Sequence, residues 1–142
     1  SYPLAKLSLL IVNRVEAKSV AGPEQNGDAL ARSVSALLPE TVVLLTEGKE
    51  GSILIDPVSQ SATKTGSFEI DVVDETAAGD AFVGYFMAGL VENKDLTTSL
   101  IEASAAGALA VSSHGAATSI PARQNVEELM LNQSISQENL VP

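Results

Sequence analysis

The chain has 142 residues, enough for one ordinary domain with a real core, and its 45% hydrophobic but only 4% aromatic content describes an aliphatic interior. A formal net charge of −10 argues against a nucleic-acid or anionic-membrane surface, and the lack of cysteine removes disulfides and thiolate chemistry. No stretch approaches the length of a transmembrane helix and no signal peptide opens the chain, so a soluble cytoplasmic protein is expected.

Taken in order, Leu7 to Asn13 is a continuous apolar run that ends in a polar residue, the pattern of a buried parallel strand. A short helix should follow, punctuated by Gly22-Pro23. Asp28 is placed to cap a second helix whose apolar face carries Ala29, Leu30, Val34, Leu37 and Leu38, ending at Pro39. Thr41 to Thr46 reads as another buried strand, joined by a Gly48/Gly51 turn to Ser52-Ile53-Leu54-Ile55 in a hairpin. Thr63–Thr65 and Phe68–Val73 read as further strands. A helix starts at Gly79, and a second runs from Leu96 to Val111 with small residues along it. These small residues allow close packing against the preceding helix or against a flat ligand. Pro121 can open a last helix carrying Val126, Leu129 and Met130. The polar end, residues 132–142, reads as a frayed tail.

The segment with the most chemistry is Val73-Asp74-Glu75-Thr76-Ala77-Ala78-Gly79-Asp80-Ala81-Phe82. Ala77, Ala78 and Gly79 lack bulk, so backbone N–H groups at a helix start can approach an anion closely. Asp80 falls in the first turn, where the helix dipole favours its ionised form. An anion cradle beside a carboxylate suits phosphoryl transfer to a hydroxyl, with the carboxylate accepting the proton. Read locally, the same pattern is also a capped turn before a helix.

Together with three other segments, this one resembles the ribokinase-like (PfkB-type) carbohydrate kinases. Their C-terminal signature, D-T-x-[GA]-A-G-D-x-F, is matched at Asp74, Thr76, Ala77, Ala78, Gly79, Asp80 and Phe82, with Glu75 in place of the usual threonine. Asn13-Arg14-Val15-Glu16 is similar to the family's N-x-x-E motif, and Thr46 to Gly51 to its T-x-G-x-x-G turn. His114 to Pro121 is similar to its G-A-x-x-S-[IV]-P segment. The resemblance covers Leu7 to Leu131 and implies an α/β fold, a largely parallel sheet with helices on both faces. Every motif belongs to the C-terminal half of the longer family members. Residues 1–131 are therefore expected to be the nucleotide-binding and catalytic portion, completed by a missing N-terminal half.

The activity implied is ATP-dependent phosphorylation of a sugar hydroxyl, with ribose the sugar toward which the motifs lean. Asp80 is then the catalytic base and contacts the substrate hydroxyl; Ala77, Ala78 and Gly79 form the anion hole. Asn13 and Glu16 serve Mg2+, through water, although N-x-x-E taken alone reads more readily as a helix cap. Thr46, Glu47, Gly48, Lys49, Glu50 and Gly51 contact the nucleotide together with Asn13, Gly79, Asp80 and Ser104. Glu47 stands where the family has an apolar residue and sets a carboxylate near a polyanion. Asp74, Thr76, Ala110, Ser113, Gly115 and Ser119 correspond to a monovalent-cation site for K+. Two rival readings stay open: a non-catalytic nucleotide-binding or regulatory module, and a structural half that acts only when paired with a missing N-terminal half and, expressed alone, forms a homodimer through exposed strand edges or is poorly soluble.

Overall fold

The computed structural model describes residues 7–112 and 120–141, in two compact units: Ser1–Gly66 with Ser136–Pro142, and Ser67–Ile135. The first unit is built on a five-stranded sheet in chain order: β1 (Leu9–Asn13), β2 (Val42–Thr46), β3 (Ser52–Ile55), β4 (Ala62–Thr65) and β5 (Gln137–Leu140). β1 and β2 pair in parallel, joined by helices α1 (Arg14–Ala21) and α2 (Gly27–Leu37), because parallel neighbours need a long crossover. The remaining pairs are antiparallel. Connections of only a few residues after β2 and β3 permit nothing else. The α/β class is as expected. The described sheet is mixed, its parallel character residing in β1–β2.

The core of this unit is aliphatic. Leu30, Ala31 and Val34 of α2 pack with Val43 and Leu45 of β2 and Ile53 and Ile55 of β3, all essentially inaccessible to solvent. Two expectations fail here. Asp28 does not cap α2, whose N-cap is Asn26; it pairs instead with Arg32 one turn on, at 2.9 Å. The frayed tail is in part a strand: residues 137–140 form β5 against β4. Leu140 packs on the core, and the Arg32 guanidinium donates to the Leu140 and Val141 carbonyls at 3.2 Å. These long-range anchors hold a polar segment that has no strand pattern of its own.

The second unit is helical: α3 (Ala78–Val91), α4 (Leu96–Val111) and α5 (Arg123–Asn132). The small residues of α4 serve helix packing. A Cβ at Gly107 would lie 3.4 Å from the Ala78 carbonyl, and one at Gly89 of α3 would lie 2.4 Å from Ser99 Oγ. Phe68–Val73, expected as a strand, has no regular structure. The Glu69 backbone within it is satisfied by a side chain: its N–H donates to Gln133 Oε1 at 3.0 Å, and Gln133 Nε2 donates to its carbonyl at 2.9 Å.

Asp95 caps α4, accepting from the Thr98 amide at 2.9 Å and the Thr98 hydroxyl at 2.7 Å. The hydroxyl, then the amide, holds its carboxyl below the ordinary carboxylate value. A carboxyl depressed in the folded state stabilises above its unfolded pKa, and that contribution disappears as pH falls through the folded value. The urea midpoint of Asp95→Ala should therefore lie below wild type at neutral pH. The gap should close on acidification below the carboxylate range.

Candidate active site

The first unit places two sequence motifs side by side. Parallel register sets Asn13 beside Thr46 at the C-terminal ends of β1 and β2, where open α/β sheets bind ligands. Asn13, Arg14, Val15, Thr46, Glu47 and Gly48 line an open cleft of ≈ 280 Å³ there.

Asn13 and Glu16 form a capping box on α1. Asn13 Oδ1 accepts from Glu16 N–H, and Glu16 Oε2 accepts from Asn13 N–H, both at 2.9 Å. The pair leaves one Glu16 oxygen without a partner among the described residues, so it suits a hydrated Mg2+ held through water better than direct coordination. Among the described residues no three acidic or histidine side chains gather as a metal cage. Losing the cap in Asn13→Ala should cost about 1 kcal/mol of stability. Asn13→Ser should restore that stability, and any loss of MgATP affinity persisting in the serine variant would report a ligand role for the amide.

The turn after β2 is closed on itself. Glu47 N–H donates to Gly51 O at 2.8 Å, Glu50 N–H to Glu47 O at 3.2 Å, and Gly51 N–H to Gly48 O at 3.0 Å. Those three amides are thus occupied, and the Thr46 hydroxyl makes only a long bond to Val12 O, 3.4 Å. Glu47 does not stand bare before the cleft. Its side chain is 2% exposed, and its Oε1 takes Arg14 Nε at 3.3 Å and a terminal nitrogen of the same guanidinium at 3.2 Å. That terminal nitrogen also meets Glu50 Oε2 at 2.7 Å. The two carboxylates, Glu50 first, raise the Arg14 pKa. Arg14 escaped the sequence reading because its partners lie 33 and 36 residues away. The signal available was a charged residue inside the N-x-x-E motif facing an unusual Glu47.

In the second unit the Asp74–Asp80 loop is stitched to the end of α4. Val73 and Asp74 N–H groups both donate to Val111 O, at 2.7 and 3.0 Å. Asp74 Oδ1 then accepts from the Thr76 amide at 2.9 Å and from its hydroxyl, fixing the turn into α3. Ala77, Ala81 and Ala110 make a small buried cluster beneath it. The helix has no side-chain N-cap. Ala78 N–H is taken by Glu75 O at 3.3 Å, whereas Gly79 and Asp80 N–H groups have no acceptor among the described residues. The Asp80 side chain is exposed and has no hydrogen-bond or ion-pair partner among those residues. Gly79 is equally open: a Cβ there would meet nothing within 4 Å. Neither packing nor a positive φ demands glycine at this position, yet glycine in a helix costs roughly 0.5–1 kcal/mol relative to alanine.

Asp74, Thr76 and Ala110 come together at this loop, while Ser113, Gly115 and Ser119 lie outside the described residues. Ser104 is half-buried on α4, and its hydroxyl donates to Leu100 O at 2.8 Å.

The profile of the pfkB family carbohydrate kinases matches residues 2–123. The chain belongs to that family. It is 38% identical over 95 residues to the ribokinase of Bacillus subtilis, covering 67% of this chain and 31% of the relative. To the ribokinase of Haemophilus influenzae it is 29% identical over 130 residues, covering 89% and 42%. The structure of Arabidopsis thaliana ribokinase complexed with ribose and ATP superposes with a TM-score of 0.81 at 29% identity, over 89% of this chain and 42% of that one. The chain thus spans less than half the length of these relatives. Other sugar kinases are similar as well, including the 5-dehydro-2-deoxygluconokinase of Bacillus licheniformis, 30% identical over 112 residues, covering 78% of this chain and 34% of the relative. Among the described residues, no helix is long and apolar enough to cross a membrane.

Proposed function

We propose that this member of the pfkB family supplies the catalytic base and the nucleotide-binding groups for ATP-dependent phosphorylation of a sugar hydroxyl, ribose to ribose 5-phosphate. The observation that carries this reading is Asp80, an exposed carboxylate without a partner among the described residues, in the first turn of a helix whose Gly79 and Asp80 amides are equally unengaged. The hydroxyl oxygen attacks the γ-phosphorus as the bond from that phosphorus to the β–γ bridging oxygen breaks. ADP leaves with the electron pair, and Asp80 takes the hydroxyl proton. Because the transition state is loose, little charge builds on the attacking oxygen early, so the proton moves late. The Gly79 and Asp80 amides, open to solvent for want of a Cβ at Gly79, stabilise charge on the transferred group. Ala77 and Ala78 contribute by shape, since the Ala78 amide is already bonded.

Asn13 and Glu16 would hold the water shell of a Mg2+ ion, which would supply charge neutralisation for the nucleotide's phosphates. Thr46 to Gly51 and Ser104 would contact the nucleotide. Asp74, Thr76 and Ala110 would hold K+ with Ser113, Gly115 and Ser119 and so stiffen the loop before Asp80. The sugar site we assign to a complementary N-terminal half, since the matched relatives are more than twice as long. The test is ADP formation by this chain together with that half, over a panel of pentoses and hexonates. Ribose-dependent ADP release supports the reading. Release with another sugar alone would overturn the ribose assignment, and none with any acceptor would overturn the activity.

A further inference from the structure

Arg14 opens α1 directly after β1, which puts its guanidinium on the wall of the strand-end cleft as the cationic residue of that lining. We propose that Arg14 is an affinity-determining phosphate receptor of this cleft, held in place by Glu47 and masked in the free protein by Glu50, whose carboxylate an incoming polyphosphate displaces. The inference rests on the reading of the cleft as a nucleotide site.

The two carboxylates are unequal, and that inequality carries the argument. Glu47 is 2% exposed at its side chain and its amide is bonded to Gly51, so its charge cannot leave Arg14 without standing buried and unpaired. Glu50 is 63% exposed and can turn into water at little cost. The guanidinium fork uses Nε and one terminal nitrogen on these partners, and its other terminal nitrogen has none among the described residues. An edge of two terminal nitrogens is the geometry that grips phosphate in a bidentate pair. With Glu50 in place the triad carries one excess negative charge, which repels a polyanion in a chain whose net charge is already −10. With Glu50 released, Arg14 and Glu47 are neutral together and the cleft accepts an anion. Glu47 thus replaces the apolar residue expected at its position by acting as a fixed anchor for a mobile receptor.

The experiment is calorimetric titration of MgATP into the wild type, Glu50→Gln, and the same pair with Arg14→Gln and Glu47→Leu added. The double replacement removes the buried Glu47 carboxylate together with its half-exposed guanidinium partner, so no buried charge is left unpaired. Freed of its exposed competitor, Arg14 should bind MgATP tighter in Glu50→Gln, by about 1.4- to fivefold, the range an exposed ion pair allows. In the background without Arg14, binding should be weaker and Glu50→Gln should have no further effect. Unchanged affinity in Glu50→Gln, or an equal gain without Arg14, overturns the proposal while leaving the nucleotide site standing. Folded wild type that binds no MgATP overturns the nucleotide reading itself, and the proposal with it.

Discussion

Asp80→Asn should lower turnover by about 10²–10⁴-fold in the proposed kinase, assayed with the N-terminal half to which the sugar site is assigned, the range that a positioned general base supplies. Asparagine keeps the shape and the first-turn position but cannot accept the hydroxyl proton. Because Asp80 is exposed and has no partner among the described residues, its neutralisation disturbs no contact described there. The stability change should be limited to the dipole contribution of a first-turn carboxylate, about 0.3–1 kcal/mol. MgATP affinity should change little, since the base we propose acts on the acceptor and not on the nucleotide. Single-turnover phosphoryl transfer, beside a urea melt of the same variant, separates the roles. A variant with normal turnover and reduced stability would make Asp80 a helix-end residue and remove it from the chemistry.

Gly51→Ala should have the largest effect on folding. Gly51 sits at φ +93, where side chains are strained, and an added Cβ would fall 1.9 Å from the Thr65 carbonyl on β4. The strained backbone costs about 1–3 kcal/mol, and the overpacking adds about 1–3 kcal/mol. The relevant backbone belongs to the β3–β4 pair, Ser52 opposite Thr65, so relief would mean prising two central strands apart. Gly48→Ala is the control: φ there is +58 with nothing within 4 Å of a Cβ, so only the left-handed backbone is penalised, by about 1–2 kcal/mol. Equal denaturant midpoints for the two variants would contradict the close approach of Gly51 to β4.

Much of the candidate site's local structure was legible because its signals are local. The apolar runs that became β1 and β2 end at the two motifs, and α4 runs from Leu96 to Val111 as its composition suggested. Asn13 and Glu16 are three residues apart, the spacing of a capping box, and the structure forms that box. What was illegible depends on contacts distant in the sequence. The pairing of Arg14 with Glu47 and Glu50 appears only when β1 and β2 lie in register, and it turns an awkward buried acid into an anchored one. Phe68–Val73 looked like a strand because its side chains alternate, but Gln133 satisfies the backbone of Glu69 in place of a neighbouring strand. Residues 137–140 are Gln-Glu-Asn-Leu, poor strand formers on propensity, and they join the sheet through β4 and the reach of Arg32.

Thermal unfolding of this chain with and without MgATP, in potassium and in sodium buffer, decides most directly whether it holds a working nucleotide site. A ligand that binds only the folded state, at a hundredfold over its Kd, adds about 2.7 kcal/mol of stability. The expected result is a magnesium-dependent rise of the melting temperature, larger in potassium than in sodium. A cooperative melt that MgATP leaves unmoved in either buffer would contradict the assignment of the nucleotide site to this chain.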